Sequence, residues 1–332
     1  MRVLNKNDLH TFEQLVQLKQ PTLKKTLSAF LRKKYSTVIE TERYICAVGD
    51  IPIALVAHMD TVFKEPPKDI FYDTNKNVIW SPEGLGADDR AGVFAIVQIL
   101  RTNRRPHIIF TTDEEMGALG ASALVSQPCP FEKLQYLIEL DRRGTCDCVF
   151  YDCDNPEFTN YIEKFGFITA WGSFTDISIL GPAWGVAGVN LSIGYRNEHS
   201  TSETLFVNPM LATIEKVKNM LDTPKEEIPF FKYIPFDYGH LSVHRYPIWD
   251  YNYGQDYKEY QCLKCGKFFL EEETFPVYTS EGKYENYCCD CVIEVADWCQ
   301  FCGEPFKKQF DGDKFCVRCK GDLKYNDNTG RD

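Results

Sequence analysis

Two histidines and a series of carboxylates recur where apolar stretches of the chain end. His58 and Asp60 follow IALVA. Asp88 and Asp89 stand side by side in GLGADDRAG (84–92). Asp113, Glu114 and Glu115 follow IIFTT, Asp141 closes YLIEL, and His199 lies in NEHSTSE (197–203). Imidazole and carboxylate together suit Zn²⁺, and also Mn²⁺ or Co²⁺. Two such ions about 3.5–4 Å apart need a set of protein ligands of which one bridges, and the sequence offers enough of them. Adjacent aspartates beside the apolar run VFAIVQIL repel each other unless they cap a helix or face a positive charge. Each residue also has a plainer reading by itself. Asp88 and Asp89 could cap a helix, Glu114 and Glu115 could be acids of a first turn, His58 a core histidine, and Asp141 a strand-end turn residue. The joint pattern favours a metal centre.

A second set of ligands lies near the end of the chain. Of 14 cysteines, nine fall between 262 and 319, as CLKC (262–265), CCDC (288–291), CQFC (299–302) and CVRC (316–319). This spacing predicts two structural zinc sites of four thiolates each, drawn from Cys262, Cys265, Cys288, Cys291, Cys299, Cys302, Cys316 and Cys319. CxxC followed by Gly, at 262–266 and 299–303, resembles a zinc-ribbon knuckle, where glycine permits the tight turn. Cys289 could replace Cys288, and the pairing could be sequential or interleaved. So small a unit cannot rely on an apolar core, so zinc would supply most of its folding energy. It is either a structural module or a recognition module for protein or nucleic acid; Lys307, Lys308, Lys314, Arg318, Lys320 and Lys324 give it a mild basic bias.

The elements that must position the first set alternate. Residues 7–34 read as helices broken at Pro21. RYICAVG, IPIALVAH, HIIFTT, YLIELD, CDCVFY and VAGVNLSIG read as strands, and FYDTNKNVIW as a hairpin around Asn75-Lys76-Asn77. Helices are expected at 89–101, 117–126, 156–165 and 203–221. Such alternation implies an α/β fold with a mostly parallel central sheet flanked by helices, its sites at the carboxyl ends of the strands. The expected domains are 1–222, a Pro- and aromatic-rich connecting segment 223–258 that packs across the first domain, a Cys-rich module 259–325, and a disordered tail 326–332.

The chain has 332 residues, is 44% hydrophobic and carries a formal net charge of -11. That charge argues against a general nucleic-acid footprint. No run is apolar enough for a membrane span, and the N-terminal stretch has no signal-peptide core. A cytoplasmic location is the default expectation.

HMDTV (58–62), GLGADDRAG, TTDEEMGALGA (111–121), IELDRRG (138–144) and NEHSTSE, in that order, resemble the di-zinc exopeptidase superfamily of co-catalytic aminopeptidases, tripeptide aminopeptidase and the carboxypeptidase G type. The resemblance covers about residues 40–222. It implies that His58 and Asp141 bind one metal, that Glu115 and His199 bind the other, and that Asp88 bridges them with a cis peptide bond after it. It makes Glu114 the general base and Asp60 the residue that orients His58. Glu139, on the same strand face as Asp141, is a rival ligand. Asp176 in GSFTDISIL resembles the family's Thr-Asp element beside the substrate. The step from Asp141 to His199 is too short for a lid domain, so the resemblance is to compact members. It implies a hydrolase that cleaves peptide bonds with water activated by two metal ions, most simply an aminopeptidase-like exopeptidase on short peptides. An amidase or deacylase on a non-peptide substrate, and a silent interaction protein on the same scaffold, are the alternatives.

Overall fold

The computed structural model describes residues 3–236, 259–270, 274–281, 283–299, 305–307, 314 and 316–317. The chain divides into two compact units, Met1–Ser242 and Val243–Asp332.

The first unit begins with helices α1 (Lys6–Val16) and α2 (Gln20–Arg32). Asn5 caps α1 by accepting the N–H of Asn7 and Asp8, and Pro21 sits in the first turn of α2, where its missing N–H costs nothing. Strands β1 (Val38–Glu40), β2 (Tyr44–Ala47) and β3 (Ile51–His58) follow, then the hairpin β4 (Phe71–Asp73) and β5 (Val78–Trp80). Helix α3 is Ala87–Leu100, β6 Pro106–Thr111, α4 Leu119–Val125, β7 Tyr136–Arg142, β8 Asp147–Val149, α5 Pro156–Glu163 and β9 Ile168–Thr169. The unit closes with α6 (Ile177–Trp184), β10 (Gly188–Ser192), β11 (Tyr195–Arg196), β12 (Thr204–Phe206) and α7 (Val207–Leu221).

The central sheet runs β1-β2-β6-β3-β7-β10-β8-β9. Its middle four strands are parallel, while β2 against β6 and β8 against β10 are antiparallel. The parallel middle is buried on both faces, which is why its strands read as continuous apolar runs. Helix α3 is buried almost all round. It packs on β3 and β7 and lies under α1 and α7, so its sequence shows no polar face. An aromatic cluster of Tyr136, Phe158, Tyr161 and Phe231 fills the far side of the core.

The helix expected from 203 starts only at 207. Residues 204–206 form β12 of a second sheet, β11-β12-β5-β4, pairing with the hairpin strand β5. Non-local pairing outweighs a helical pattern that is continuous through this point. Helix α6, with Pro182 inside it, was not expected. Ile228 and Phe231 of the segment after α7 are buried in the core, and its residues pair with Val186 and Cys153. The expectation for 237–258 falls outside the described residues, as do Cys302, Cys319 and the tail 326–332.

The second unit holds a hairpin of β13 (Glu259–Gln261) and β14 (Phe268–Leu270). It also holds a four-stranded sheet, β16-β15-β18-β17, from β15 (Thr274–Tyr278), β16 (Tyr284–Cys288), β17 (Asp297–Trp298) and β18 (Pro305–Phe306), and helix α8 (Cys289–Val295). Among the described residues no helix is long and apolar enough to cross a membrane.

At the start of β6, His107 is locked as a neutral ring. Its Nδ1 accepts the Gly49 N–H at 3.0 Å, its Nε2 donates to the Lys133 carbonyl at 3.0 Å, and it stacks on Phe131. Burial pushes its pKa down, against weaker opposing effects of Lys133 and Asp50. Below an unfolded value of about 6.5 the unfolded chain takes up a proton that the folded one refuses. The stability His107 contributes is therefore present above that pH and lost as pH falls through it. We expect His107→Gln to shrink the drop in unfolding free energy between about pH 7.5 and about pH 5.5. Chemical denaturation at both pH values checks this; equal drops in both proteins would refute it.

Candidate metal centre

The carboxyl ends of the parallel strands bring the first set of candidates together. His58 is the last residue of β3, and its fully buried ring points Nε2 at Asp88 Oδ1 (3.1 Å) and Asp141 Oδ1 (3.5 Å). Asp88 lies in the first turn of α3, joined to Asp89 by a cis peptide bond. Its other oxygen, Oδ2, faces His199 Nε2 at 3.2 Å, and His199 in turn faces Glu115 Oε1 at 3.0 Å. His58, Asp88 and Asp141 thus make one compact donor group and Asp88, Glu115 and His199 a second, with Asp88 in both. His58, Glu114 and Glu115 are also mutually close. Asp60 sits across the His58 ring, its Oδ1 3.3 Å from Nδ1, while its Oδ2 accepts the Glu115 N–H at 3.1 Å.

Glu139 and Asp141 part company. Glu139 is fully buried and its Oε2 faces the N–H of Ile177 at 3.4 Å; it is absent from both donor groups. Asp141 accepts from Thr175 Oγ1 and the Tyr195 hydroxyl, each at 3.0 Å, and its backbone is held by both ends of the Asn190 amide. Asp176 is buried beneath the centre and accepts from Thr111. Asp113, in a left-handed conformation, turns away to pair with Arg43. His199 is not at a strand end: it sits in the loop between β11 and β12, also left-handed. Arg143 pairs with Glu198 at 3.0 Å, and Arg142 donates to the Trp171 carbonyl.

The field of this cluster calls for positive charge. Burial opposes protonation of His58, yet Asp141 and Asp60 push its pKa well up. Contacts with Asp88 and Glu115 raise His199 to about 11. Burial, with Asp141, Asp176 and Glu115 nearby, pushes the Glu114 carboxyl up to about 9 despite His58. Burial likewise raises Asp176 to about 7 and Glu139 well above its usual range. The residues fit a pair of divalent cations. Ligands about 2.1 Å from a tetrahedral ion lie about 3.4 Å from each other, and the His-to-carboxylate separations of 3.0–3.5 Å straddle that edge. Glu115 Oε1 is buried and faces the His199 ring nitrogen and no other donor, as an oxygen placed for a cation would be.

Other residues hold the centre in roles that sequence reasoning did not assign, although they stand inside NEHSTSE and GLGADDRAG. Glu203 is fully buried, and its carboxylate accepts three successive N–H groups, from Gly86, Ala87 and Asp88. It ties the loop that carries His199 to the start of α3. Burial and the Asp88 charge push its carboxyl up to about 8, against the pull of those three donors. The buried Arg90 donates from one nitrogen to the carbonyls of Leu15 and Leu18, fixing the end of α1. Gly92 is required by close approach: a Cβ there would stand 2.3 Å from the Leu140 carbonyl and 2.5 Å from the Asp89 carboxylate. Asp89 itself accepts the Gly92 N–H at 3.0 Å. Of the adjacent pair, then, Asp88 faces both imidazoles and Asp89 caps the helix.

Residues 46–164 match Peptidase family M28. A search of curated proteins gives no match. Among solved structures, a tripeptidase from Staphylococcus aureus subsp. aureus Mu50 superposes with a TM-score of 0.56 at 15% identity, covering 68% of this chain and 100% of that one. Aminopeptidase PepT from Bacillus cereus ATCC 10987 gives 0.52 at 16% identity, covering 65% and 97%. A Zn-dependent exopeptidase from Parabacteroides distasonis ATCC 8503 gives 0.50 at 14% identity, covering 67% and 99%. At such identities the likeness is one of fold. The family match covers residues 46–164, and the fold is shared with these three structures.

In Glu203→Gln one acceptor oxygen becomes a donor that meets backbone N–H groups head on. We expect a loss of about 1–3 kcal/mol in folding free energy and weaker retention of metal during dialysis. Chemical denaturation and metal analysis check both; a variant that matches the wild type in both would refute the role given to Glu203.

Proposed function

We propose that this M28-type domain is a two-metal exopeptidase of the aminopeptidase kind, cleaving short peptides. The observation that carries the reading is the position of Asp88. Its two oxygens face different imidazoles, at 3.1 and 3.2 Å, and each imidazole has a further carboxylate of its own, Asp141 or Glu115. One carboxylate shared by two donor groups, one oxygen towards each imidazole, is what a bridged pair of ions requires. His58 and Asp141 would hold one ion, Glu115 and His199 the other. When bound, two divalent cations polarise a peptide carbonyl and make water a stronger nucleophile near neutral pH. The relatives' names, tripeptidase and aminopeptidase, support a short peptide as substrate.

The chain's own groups supply the remaining work. Glu114 is half-buried beside His58 and Glu115. As a carboxylate it takes a proton from the attacking water and delivers it to the departing amine. Asp60 faces His58 Nδ1 and fixes the ring so that Nε2 points into the centre. Thr175 and Tyr195 hold Asp141 from outside, leaving its charge directed at His58. The stretch between Asp141 and His199 contains β8 to β11 with their helices and no inserted domain.

The test is Glu114→Ala in the full chain, assayed against dipeptides, tripeptides and acylated amines. We expect kcat to fall by about 10²–10⁴-fold, with metal content and unfolding midpoint unchanged. Activity that survives the substitution would sink the mechanism. A wild-type protein that binds metal but turns over none of these substrates would favour the silent scaffold, and turnover of acylated amines alone would favour the deacylase.

A further inference from the structure

The second unit has a core that is unusual in what it is made of. Cys262, Cys288 and Cys291 are buried with Val277, Tyr287 and Val292, so half of that cluster is thiol. Two chain segments deliver the sulfurs. Cys262 follows β13; its N–H donates to the Lys267 carbonyl and its carbonyl accepts the Gly266 N–H, each at 2.9 Å. Gly266 has a φ of +74°, and this left-handed residue closes the turn with Cys262 and Cys265 on it. The Leu263 N–H bonds the Asn286 carbonyl at 3.0 Å, which lays the turn against β16. Cys288 ends β16 and Cys291 lies in the first turn of α8.

We propose that Cys262, Cys265, Cys288 and Cys291 form a site for one zinc ion. All four Sγ atoms lie within 4.8 Å of one another, and Cys265 and Cys288 stand 4.0 Å apart. Zinc bound to four thiolates at about 2.3 Å sets the sulfurs about 3.8 Å apart. A disulfide would need about 2.05 Å, and none of these cysteines is in one. An iron–sulfur cluster distributes its cysteines over different irons and would spread the sulfurs wider than a single ion does. The separations therefore select a mononuclear tetrahedral site. Zinc is the divalent ion of choice for a closed, four-thiolate structural site. Cys288 fills the position that the sequence left open between it and Cys289. The pairing is sequential: the first CxxC meets the second. In the same way the Cys316 N–H donates to Cys299 Sγ at 3.3 Å, and both sit with Phe306 in a separate small cluster.

The site is independent of the peptidase reading, and its test needs no activity. Zinc per chain is measured by elemental analysis in the reduced full-length protein, in Cys265→Ser/Cys291→Ser and in Cys299→Ser/Cys316→Ser. We expect the first double change to remove one zinc per chain. Because that variant could lose its zinc by unfolding, the second is loaded with Co²⁺ and read by absorbance. With Cys299 and Cys316 gone, which leaves only two thiols of the other set, thiolate-to-cobalt charge-transfer bands with the intensity of four thiolates per cobalt should persist, from Cys262, Cys265, Cys288 and Cys291. Unchanged zinc in the first variant, or no thiolate bands in the second, would overturn the site. Iron in place of zinc in the purified protein would overturn the choice of metal.

Discussion

The packing of negative charge at one end of the central sheet is the constraint that the first unit is arranged around. Asp60, Asp88, Asp89, Glu114, Glu115, Glu139, Asp141 and Asp176 converge there, with His58 and His199 among them. Two unit charges 4 Å apart interact by about 4 kcal/mol at an effective dielectric of 20, so such a cluster cannot be assembled fully ionised and alone. Protons or cations must enter it. Burial, joined by the neighbouring charges, raises Glu114, Glu139 and Asp176, and the carboxylates raise both imidazoles, so the demand is expressed through protons. A pair of divalent ions would meet that demand while leaving the imidazoles neutral and free to coordinate.

Holding mutually repelling groups in place requires a rigid frame, and the frame is apolar. Helix α3 is buried almost throughout, and Gly92 lets it come within van der Waals range of the end of β7. That contact sets the approach of Asp88, on α3, to Asp141, on β7. Glu203 fixes the same turn from the other side by taking up its backbone donors. Buried donors without partners cost about 1–3 kcal/mol each, so this one carboxylate does for the turn what an ordinary capping side chain does not: α3 has no side-chain cap at Gly86. Arg90 extends the frame outward to α1.

The sequence disclosed the residues that meet in the cluster better than those that hold them in place. His58, Asp88, Glu115 and Asp141 were legible because each follows an apolar strand or opens a helix, and strand ends in a parallel sheet converge. His199 was legible through its NEHSTSE context and not through its element, since it lies on a loop. Glu203 was legible as the last residue of NEHSTSE but not in its role, which depends on a contact with residues 86–88. The short strand β12 was hidden for a similar reason, because its partner β5 lies far back in the chain. The antiparallel flanks of the sheet were hidden too, since alternation of strand and helix argues only for the parallel middle. For the cysteines, spacing gave the ligand type, while the choice of Cys288 and the sequential pairing needed coordinates.

The two units would use metal for different physical ends. The first has a large apolar core running from Phe12 to Phe231, so its fold does not need an ion. There the ions would supply charge. Among the described residues of the second unit the core is two small clusters of nine buried residues, five of them cysteine, little apolar surface to set against the entropy of ordering a chain. There the ion would supply the fold itself, as metal binding and folding are one process in such modules. The ligands follow the same division. Carboxylate and imidazole leave an ion with open positions and exchangeable neighbours, which a reaction needs. Four thiolates close the ion off, which suits a fixed structural role.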